Sequence, residues 1–167
     1  FVAASDPASR LWDPSQGGGC LLDIGIYPLF AARAFLGMPD RLEASMTLAS
    51  TGADASCDME LAWNRGANAS LHSSFVESTP CIAVIEGEEG TMVLERMFHA
   101  PTSLVVNTMD GSERFTFPEP GFGYEHETAH FGRLLAERAT ESPLWSLSDS
   151  LELAGLLDQV RGVATAT

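Results

Sequence analysis

Alternating apolar and polar residues in the middle of the chain constrain the fold more than any other feature. The alternation is unbroken over residues 42–48, recurs with one exception over 59–63, and appears again over 67–72. A period of two residues indicates β-strands with one buried face and one more polar face. Turn-forming residues separate the three segments at 51–54 and 64–67. The middle of the chain therefore predicts an antiparallel meander.

Two further hairpins are predicted beyond this meander. Segments 82–86 and 91–94 surround a Gly-Glu-Glu-Gly turn, and segments 104–108 and 114–117 flank an Asp-Gly pair. We therefore expect about seven strands in one open, mainly antiparallel sheet.

Helical patterns lie toward the two ends of the chain, over 20–36, 124–138 and 148–163. Helices grouped apart from strands are typical of the α+β class, here with helices covering one face of the sheet. The other face is polar, so it is either solvated or packed on a partner subunit. A length of 167 residues with 45% apolar content suits a single domain spanning 1–167.

The charge balance excludes several classes of partner. The net charge is −14, and all nine basic residues are arginines. No basic patch is available for nucleic acid or for an anionic membrane surface, so neither partner is expected. We also expect no secretory leader and no apolar run long enough to cross a bilayer. Without lysine, the chain has no Schiff-base or P-loop lysine of its own.

The three cysteines, Cys20, Cys57 and Cys81, are odd in number and widely spaced. This pattern predicts free, buried thiols in a reducing compartment, which points to the cytoplasm, and its spacing excludes a zinc site of the CxxC type.

The segment over 17–28 carries the residues best suited to chemistry. Three successive glycines allow close backbone approach or positive φ angles. The helix that follows is apolar nearly all round and is predicted to be buried, with Asp23 and Tyr27 four residues apart on one face. A buried carboxylate needs a partner or a polar cleft, and Pro28 is expected to kink the helix just after Tyr27. Alternatively, Asp23 caps a neighbouring loop and Tyr27 is an ordinary core tyrosine.

The sequence Gly-Gly-Gly-Cys-Leu-Leu-Asp-Ile-Gly-Ile-Tyr-Pro over 17–28 resembles the signature of the glucose–fructose oxidoreductase/inositol dehydrogenase (Gfo/Idh/MocA) family. It looks closest to the branch that contains dihydrodiol dehydrogenase, which carries tyrosine where many members carry histidine. Weaker similarities continue in order along the chain, over 10–14, 35–39, 51–54, 85–90, 121–125, 141–144 and 156–161.

The resemblance implies a C-terminal substrate-binding and oligomerisation domain. Members of this family have an N-terminal Rossmann domain that binds NAD or NADP, followed by an α+β domain with an open sheet. This chain resembles only the second, since it lacks both Gly-x-Gly-x-x-Gly and the family's Glu-Lys-Pro motif. The implied partners are the missing Rossmann domain, a small-molecule substrate (a sugar, polyol or dihydrodiol-like compound) and a second copy bound through the open sheet face. NAD or NADP is implied for the full-length protein, and no cofactor is expected on this fragment.

The resemblance also implies roles for individual residues. Tyr27 would give or take a proton at the substrate oxygen, and Asp23 would position the substrate and polarise the site. A tyrosine with a pKa near ~10 is a poor base at neutral pH unless a cation lies beside it. In the family that cation is the lysine of the other domain.

The resemblance also implies substrate contact for four further residues: Arg10, Trp12, Phe98 and His99. For two of them an alternative stays open, since Trp12 could be a core anchor and Arg10 could form a surface ion pair.

Two other functions remain possible on sequence grounds. His126-Glu127-x-x-His130 matches the HExxH zinc-hydrolase motif on a predicted helix, although the residues downstream do not continue the pattern. The chain could also act as a stand-alone, non-catalytic dimerising module, with Asp23 and Tyr27 structural.

Overall fold

The computed structural model describes residues 8–95, 97–100, 103–117 and 123–166, which fall into two compact units. The first unit comprises the described residues of Phe1–Thr79 and Ser148–Thr167, and the second is Pro80–Leu147. The opening residues 1–4 and the Gly121-Phe122 pair, both noted in the sequence, lie outside the described residues.

The first unit contains a four-stranded sheet in the order β3-β2-β1-β8. Its strands are β1 (Arg41–Leu48), β2 (Asp54–Ala62), β3 (Asn68–Ser74) and β8 (Thr165–Ala166). The β1–β2 and β2–β3 pairs are antiparallel, as the alternation predicts, whereas the two-residue β8 pairs parallel to β1 through Ser45 and Thr165.

The alternation divides this sheet into a core face and an open polar face. Met46 and Cys57 are paired across β1 and β2 and are buried on the core face. The other face carries Glu43 opposite Glu60, and Asp58 opposite His72. The half-polar sheet expected from sequence is thus confirmed in this unit.

The second unit contains a separate sheet in the order β4-β5-β6-β7, antiparallel throughout. Its strands are β4 (Ala83–Gly87), β5 (Gly90–Leu94), β6 (Ser103–Thr108) and β7 (Gly111–Thr116). Both predicted hairpins are present. The strands form two sheets rather than one, since β3 ends at Ser74 and β4, which begins at Ala83, pairs with β5 in a separate sheet.

Three α-helices occupy the predicted segments, which confirms the α+β class. They are α1 (Ile26–Leu36), α2 (Tyr124–Glu137) and α3 (Leu147–Val163). Gly37, with φ 76°, ends α1 as predicted. In the first unit Arg33 of α1 forms ion pairs with Asp149 and Glu152 of α3, which ties the two helices together.

The expected kink just after Tyr27 stays a prediction, whereas the irregularity in backbone hydrogen bonding lies earlier. Residues Leu21–Gly25 form a π-helical turn, and α1 runs on through Tyr27 and Pro28. Pro28 is the third residue of α1, a position whose N–H has no partner within that helix, so proline is tolerated there. The π-helical turn, which lies just before α1, accommodates the change in the backbone hydrogen-bonding pattern.

One segment of the described chain, Pro14–Leu36, is long and apolar enough to cross a membrane by length and composition alone. The expectation that no run is long enough is therefore wrong by this criterion. Core helices of soluble proteins meet the same criterion, and about a third of the window is buried here (33%). The left-handed Gly17 (φ 72°) interrupts the segment before its main helix begins.

Candidate active site

The glycine run is needed because other parts of the protein approach it closely. A Cβ on Gly18 would lie 2.3 Å from the carbonyl oxygen of Arg10. A Cβ on Gly19 would lie 2.1 Å from the Oδ1 atom of Asp54, and Gly19 itself has a φ of +127°. Both features predicted for this run, close approach and positive φ, are therefore present.

Asp54 holds the start of the helical segment that carries Asp23 and Tyr27. Its Oδ2 atom accepts a hydrogen bond from the backbone N–H of Leu21 at 2.6 Å. A carboxylate here satisfies an otherwise unpaired helix donor and complements the positive end of the helix dipole. Sequence reasoning did not identify Asp54, because a cap supplied from 33 residues away leaves no local pattern.

This arrangement does not fit a dinucleotide phosphate. In nucleotide-binding folds the N–H groups at a helix start face a pyrophosphate. Here the carboxylate of Asp54 already accepts the hydrogen bond from the N–H of Leu21 and places a negative charge at the glycine run. Other protein atoms therefore occupy the space beside Gly18 and Gly19, and the glycine run does not fit the pyrophosphate of NAD or NADP.

Asp23 has a charged partner within the same unit. The Nη2 atom of Arg10, in the turn Arg10–Trp12, lies 3.0 Å from Oδ1 of Asp23. The Arg10 side chain is 60% exposed and that of Asp23 is 21% exposed. The structure thus brings two of the predicted site residues together in the ion pair that sequence offered as the alternative for Arg10. Substrate contact by either residue stays a prediction.

Tyr27 lies in the first turn of α1 and is 43% exposed. The expectation that this helix is buried all round is wrong, because Phe30 and Phe35 are also exposed. Only Leu29 and Ala32 of α1 are buried. Neither Asp23 nor Tyr27 is sealed in the core, so both side chains can be reached by a solute.

Trp12 packs as a core anchor. Its ring meets the fully buried Phe75 edge-on, with centroids 5.3 Å apart and an interplanar angle of 75°. Together with buried Cys20, these rings form a small cluster against which Leu11 and Ile24 pack. The residues that follow Arg10 (Leu11) and Asp23 (Ile24) in the chain therefore both pack on this cluster.

Phe98 and His99 belong to the second unit, whereas Asp23 and Tyr27 belong to the first. The rings of Phe98 and His99 meet edge-on, with centroids 5.7 Å apart. Partial burial lowers the pKa of His99. Their predicted contact with substrate stays a prediction.

The HExxH motif lies on α2, but its second histidine is already engaged. Nε2 of His130 lies 2.8 Å from Oγ of Ser142, and its Nδ1 lies 3.4 Å from the guanidinium of Arg133. Within the part of the chain that the structure describes, no group of three or more His, Cys, Asp or Glu side chains is placed to hold a metal ion.

The fold and these contacts together define a class of domain. It is an α+β domain in which one helical segment exposes the carboxylate of Asp23 and the phenol of Tyr27 to solvent. Arg10 forms an ion pair with that carboxylate. The pair stands beside a glycine run that does not fit a nucleotide.

The chain belongs to the Gfo/Idh/MocA family as its C-terminal domain. A model of the GFO/IDH/MocA C-terminal domain matches residues 1–93, which is more than half of the chain. The resemblance inferred from residues 17–28 is thus confirmed.

Relatives with assigned activities extend the similarity along most of the chain. A trans-1,2-dihydrobenzene-1,2-diol dehydrogenase of Xenopus tropicalis is 34% identical over 90% of this chain and 48% of its own length. A scyllo-inositol 2-dehydrogenase (NADP(+)) of Bacillus subtilis is 28% identical over 90% of this chain and 45% of its own. The chain therefore spans about half the length of the curated relatives it matches.

Solved structures show the same fold. A 3-ketoreductase from Actinomadura kijaniata, in complex with NADP and TDP-benzene, superposes with a TM-score of 0.81 at 25% identity, covering 99% of this chain and 52% of that one. An aldose-aldose oxidoreductase from Caulobacter crescentus superposes with a TM-score of 0.80 at 18% identity, covering 97% of this chain and 50% of that one.

Proposed function

We propose that this chain is the substrate-binding and oligomerisation domain of an NAD(P)-dependent oxidoreductase. Its substrate would be an alcohol or carbonyl compound of the sugar, polyol or dihydrodiol type. The activities of the relatives, on a dihydrodiol and on an inositol, support this class. The observation that carries the proposal is the accessible Tyr27, which stands one helical turn after an Arg10-paired Asp23.

In this proposal Tyr27 exchanges a proton with the substrate oxygen. When a carbon atom gains or loses a hydride, the oxygen attached to it must gain or lose a proton. The Tyr27 hydroxyl supplies or accepts that proton. Asp23 accepts a hydrogen bond from a substrate hydroxyl, and Arg10 holds the Asp23 carboxylate in place through its 3.0 Å contact.

The nicotinamide cofactor is assigned to the remaining half of the full-length protein. The glycine run of this chain does not fit a pyrophosphate, since Asp54 occupies the helix start. The hydride chemistry that a nicotinamide supplies therefore needs residues beyond this domain.

The isolated 167-residue chain is expected neither to bind NADH or NADPH nor to turn over substrate. Calorimetric titration with each dinucleotide tests binding, and absorbance at 340 nm with polyol or dihydrodiol substrates tests turnover. A stoichiometric dinucleotide site on this chain would overturn the assignment of the cofactor to the other half. If the chain joined to a nucleotide-binding half stays inactive, the stand-alone dimerising module becomes the better interpretation.

A second copy of the chain is the proposed partner for the open face of the first sheet. That face carries the acidic residues Glu43, Asp58 and Glu60, of which Asp58 lies 2.7 Å from Nδ1 of His72. Two copies related by a two-fold axis would bring like charges together, so the dimer should strengthen with added salt.

Light scattering across a salt series tests this partner. Glu60→Gln should raise the dimer fraction at low salt, whereas Glu113→Gln on β7 of the second sheet should not. A chain that stays monomeric at every salt and protein concentration would contradict the dimer.

A further inference from the structure

Cys81 and His99 form a thiol–imidazole pair within the second unit. The Sγ atom of Cys81 lies 3.8 Å from Nδ1 of His99. The backbone N–H of Phe98 donates to the carbonyl oxygen of Cys81 at 3.2 Å, which holds the two segments side by side. The two side chains are therefore brought together by the fold, although 18 residues separate them in sequence.

The backbone at Cys81 is unusual for a residue with a side chain. Its φ angle is 53°, in the left-handed region that residues other than glycine rarely adopt. Such a conformation persists only where surrounding contacts impose it. The Phe98 ring stands edge-on to the His99 ring and gives the pair an aromatic neighbour.

Accessibility separates Cys81 from the other two thiols. Cys20 and Cys57 are fully buried, and burial raises their pKa values to about 11 and about 12. Cys81 is only partly buried, and all three are free of disulfides. The expectation of buried thiols thus holds for Cys20 and Cys57 and fails for Cys81.

We propose that Cys81 and His99 form a site that adds covalently to α,β-unsaturated carbonyl compounds. Nδ1 of His99 takes the thiol proton, and the sulfur of Cys81 forms a bond to the β-carbon of the electrophile. The π electrons move onto the carbonyl oxygen as an enolate, which takes back the proton at the α-carbon. One S–H bond and one C=C π bond are replaced by an S–C and a C–H bond, so no oxidant is needed.

The imidazole is well placed for this role. The thiolate is the nucleophilic form of cysteine, so a base in contact with the thiol accelerates addition. Partial burial lowers the pKa of His99, which keeps the ring neutral at pH 7 and able to accept a proton. His99 is exposed, so the proton can also be exchanged with water.

The test measures N-ethylmaleimide addition at pH 7 to each cysteine, by peptide mapping with mass spectrometry. Cys81 should react at least about 100-fold faster than Cys20 or Cys57, and faster than it does in the same chain unfolded in urea. His99→Asn should slow the reaction at Cys81 about tenfold or more, the lower range of a general-base effect. His126→Asn, a surface histidine of α2, serves as the matched control and should leave the rate unchanged.

Three results would overturn the site. The first is an equal rate at Cys81 in the parent chain and in His99→Asn. The second is a rate in the folded chain no faster than in the urea-unfolded chain, a comparison that needs no variant. Cys81→Ser should remove the fast reaction altogether, and fast labelling that persists in this variant would also count against the pair.

Discussion

Tyr27→Phe is expected to lower kcat by about 10²- to 10⁴-fold when this chain is assayed with its nucleotide-binding half, the range for loss of a positioned acid or base. KM should change little, because phenylalanine keeps the ring and removes only the hydroxyl that exchanges the proton. Tyr27 lies in the first turn of α1 and is 43% exposed, so the fold should tolerate this substitution.

The chain supplies a matched control, because it contains only two tyrosines. Tyr124 lies at the start of α2 and is 71% exposed. Tyr124→Phe removes the same hydroxyl from the other unit and should leave kcat unchanged. Equal kcat values for Tyr27→Phe and Tyr124→Phe would remove Tyr27 from the proposed chemistry, while the family membership would stand.

Gly18→Ala is expected to lower the free energy of unfolding by about 3 kcal/mol, in the upper range for a single overpacking substitution. The new Cβ would lie 2.3 Å from the carbonyl oxygen of Arg10 and 2.7 Å from that of Asp13. Both neighbours are backbone atoms, so they cannot move aside by changing a rotamer. The turn that carries Arg10 would have to shift, and the Arg10–Asp23 ion pair with it.

Gly155→Ala is the control for this substitution. Gly155 lies within α3, where an added Cβ would meet nothing within 4 Å. Alanine is a better helix former than glycine, so this variant should gain about 0.5–1 kcal/mol. Urea unfolding followed by circular dichroism measures both. A loss below 1 kcal/mol for Gly18→Ala would show that the glycine run is not tightly enclosed.

Sequence patterning predicted the elements of this fold better than their assembly. Period-two alternation is a local property of one strand, so β1 to β3 could be read directly. The parallel pairing of β8 with β1 could not, because two residues carry no periodicity and the pairing joins positions 120 residues apart. The separation into two sheets depends on where a ladder stops, which alternation within strands does not report.

In the candidate site, too, the local features could be predicted from the sequence and the long-range contacts could not. Asp23 and Tyr27 were identifiable because their spacing and setting are local. The partners that give Asp23 its environment come from elsewhere in the chain. Arg10 approaches from 13 residues away and Asp54 caps the helix from 33 residues away. Such contacts depend on tertiary packing, and a single sequence records only that the residues are charged.

The first unit is assembled from both ends of the chain, since α3 and β8 return to it after the second unit has intervened. During synthesis on a ribosome, β1 to β3 emerge long before β8 and before the buried α3 residues Leu153, Leu156, Leu157 and Val160. One edge of β1 and part of the core therefore stay uncovered until α3 and β8 have emerged. Residues 80–147, by contrast, form an uninterrupted stretch that can fold as soon as it has emerged.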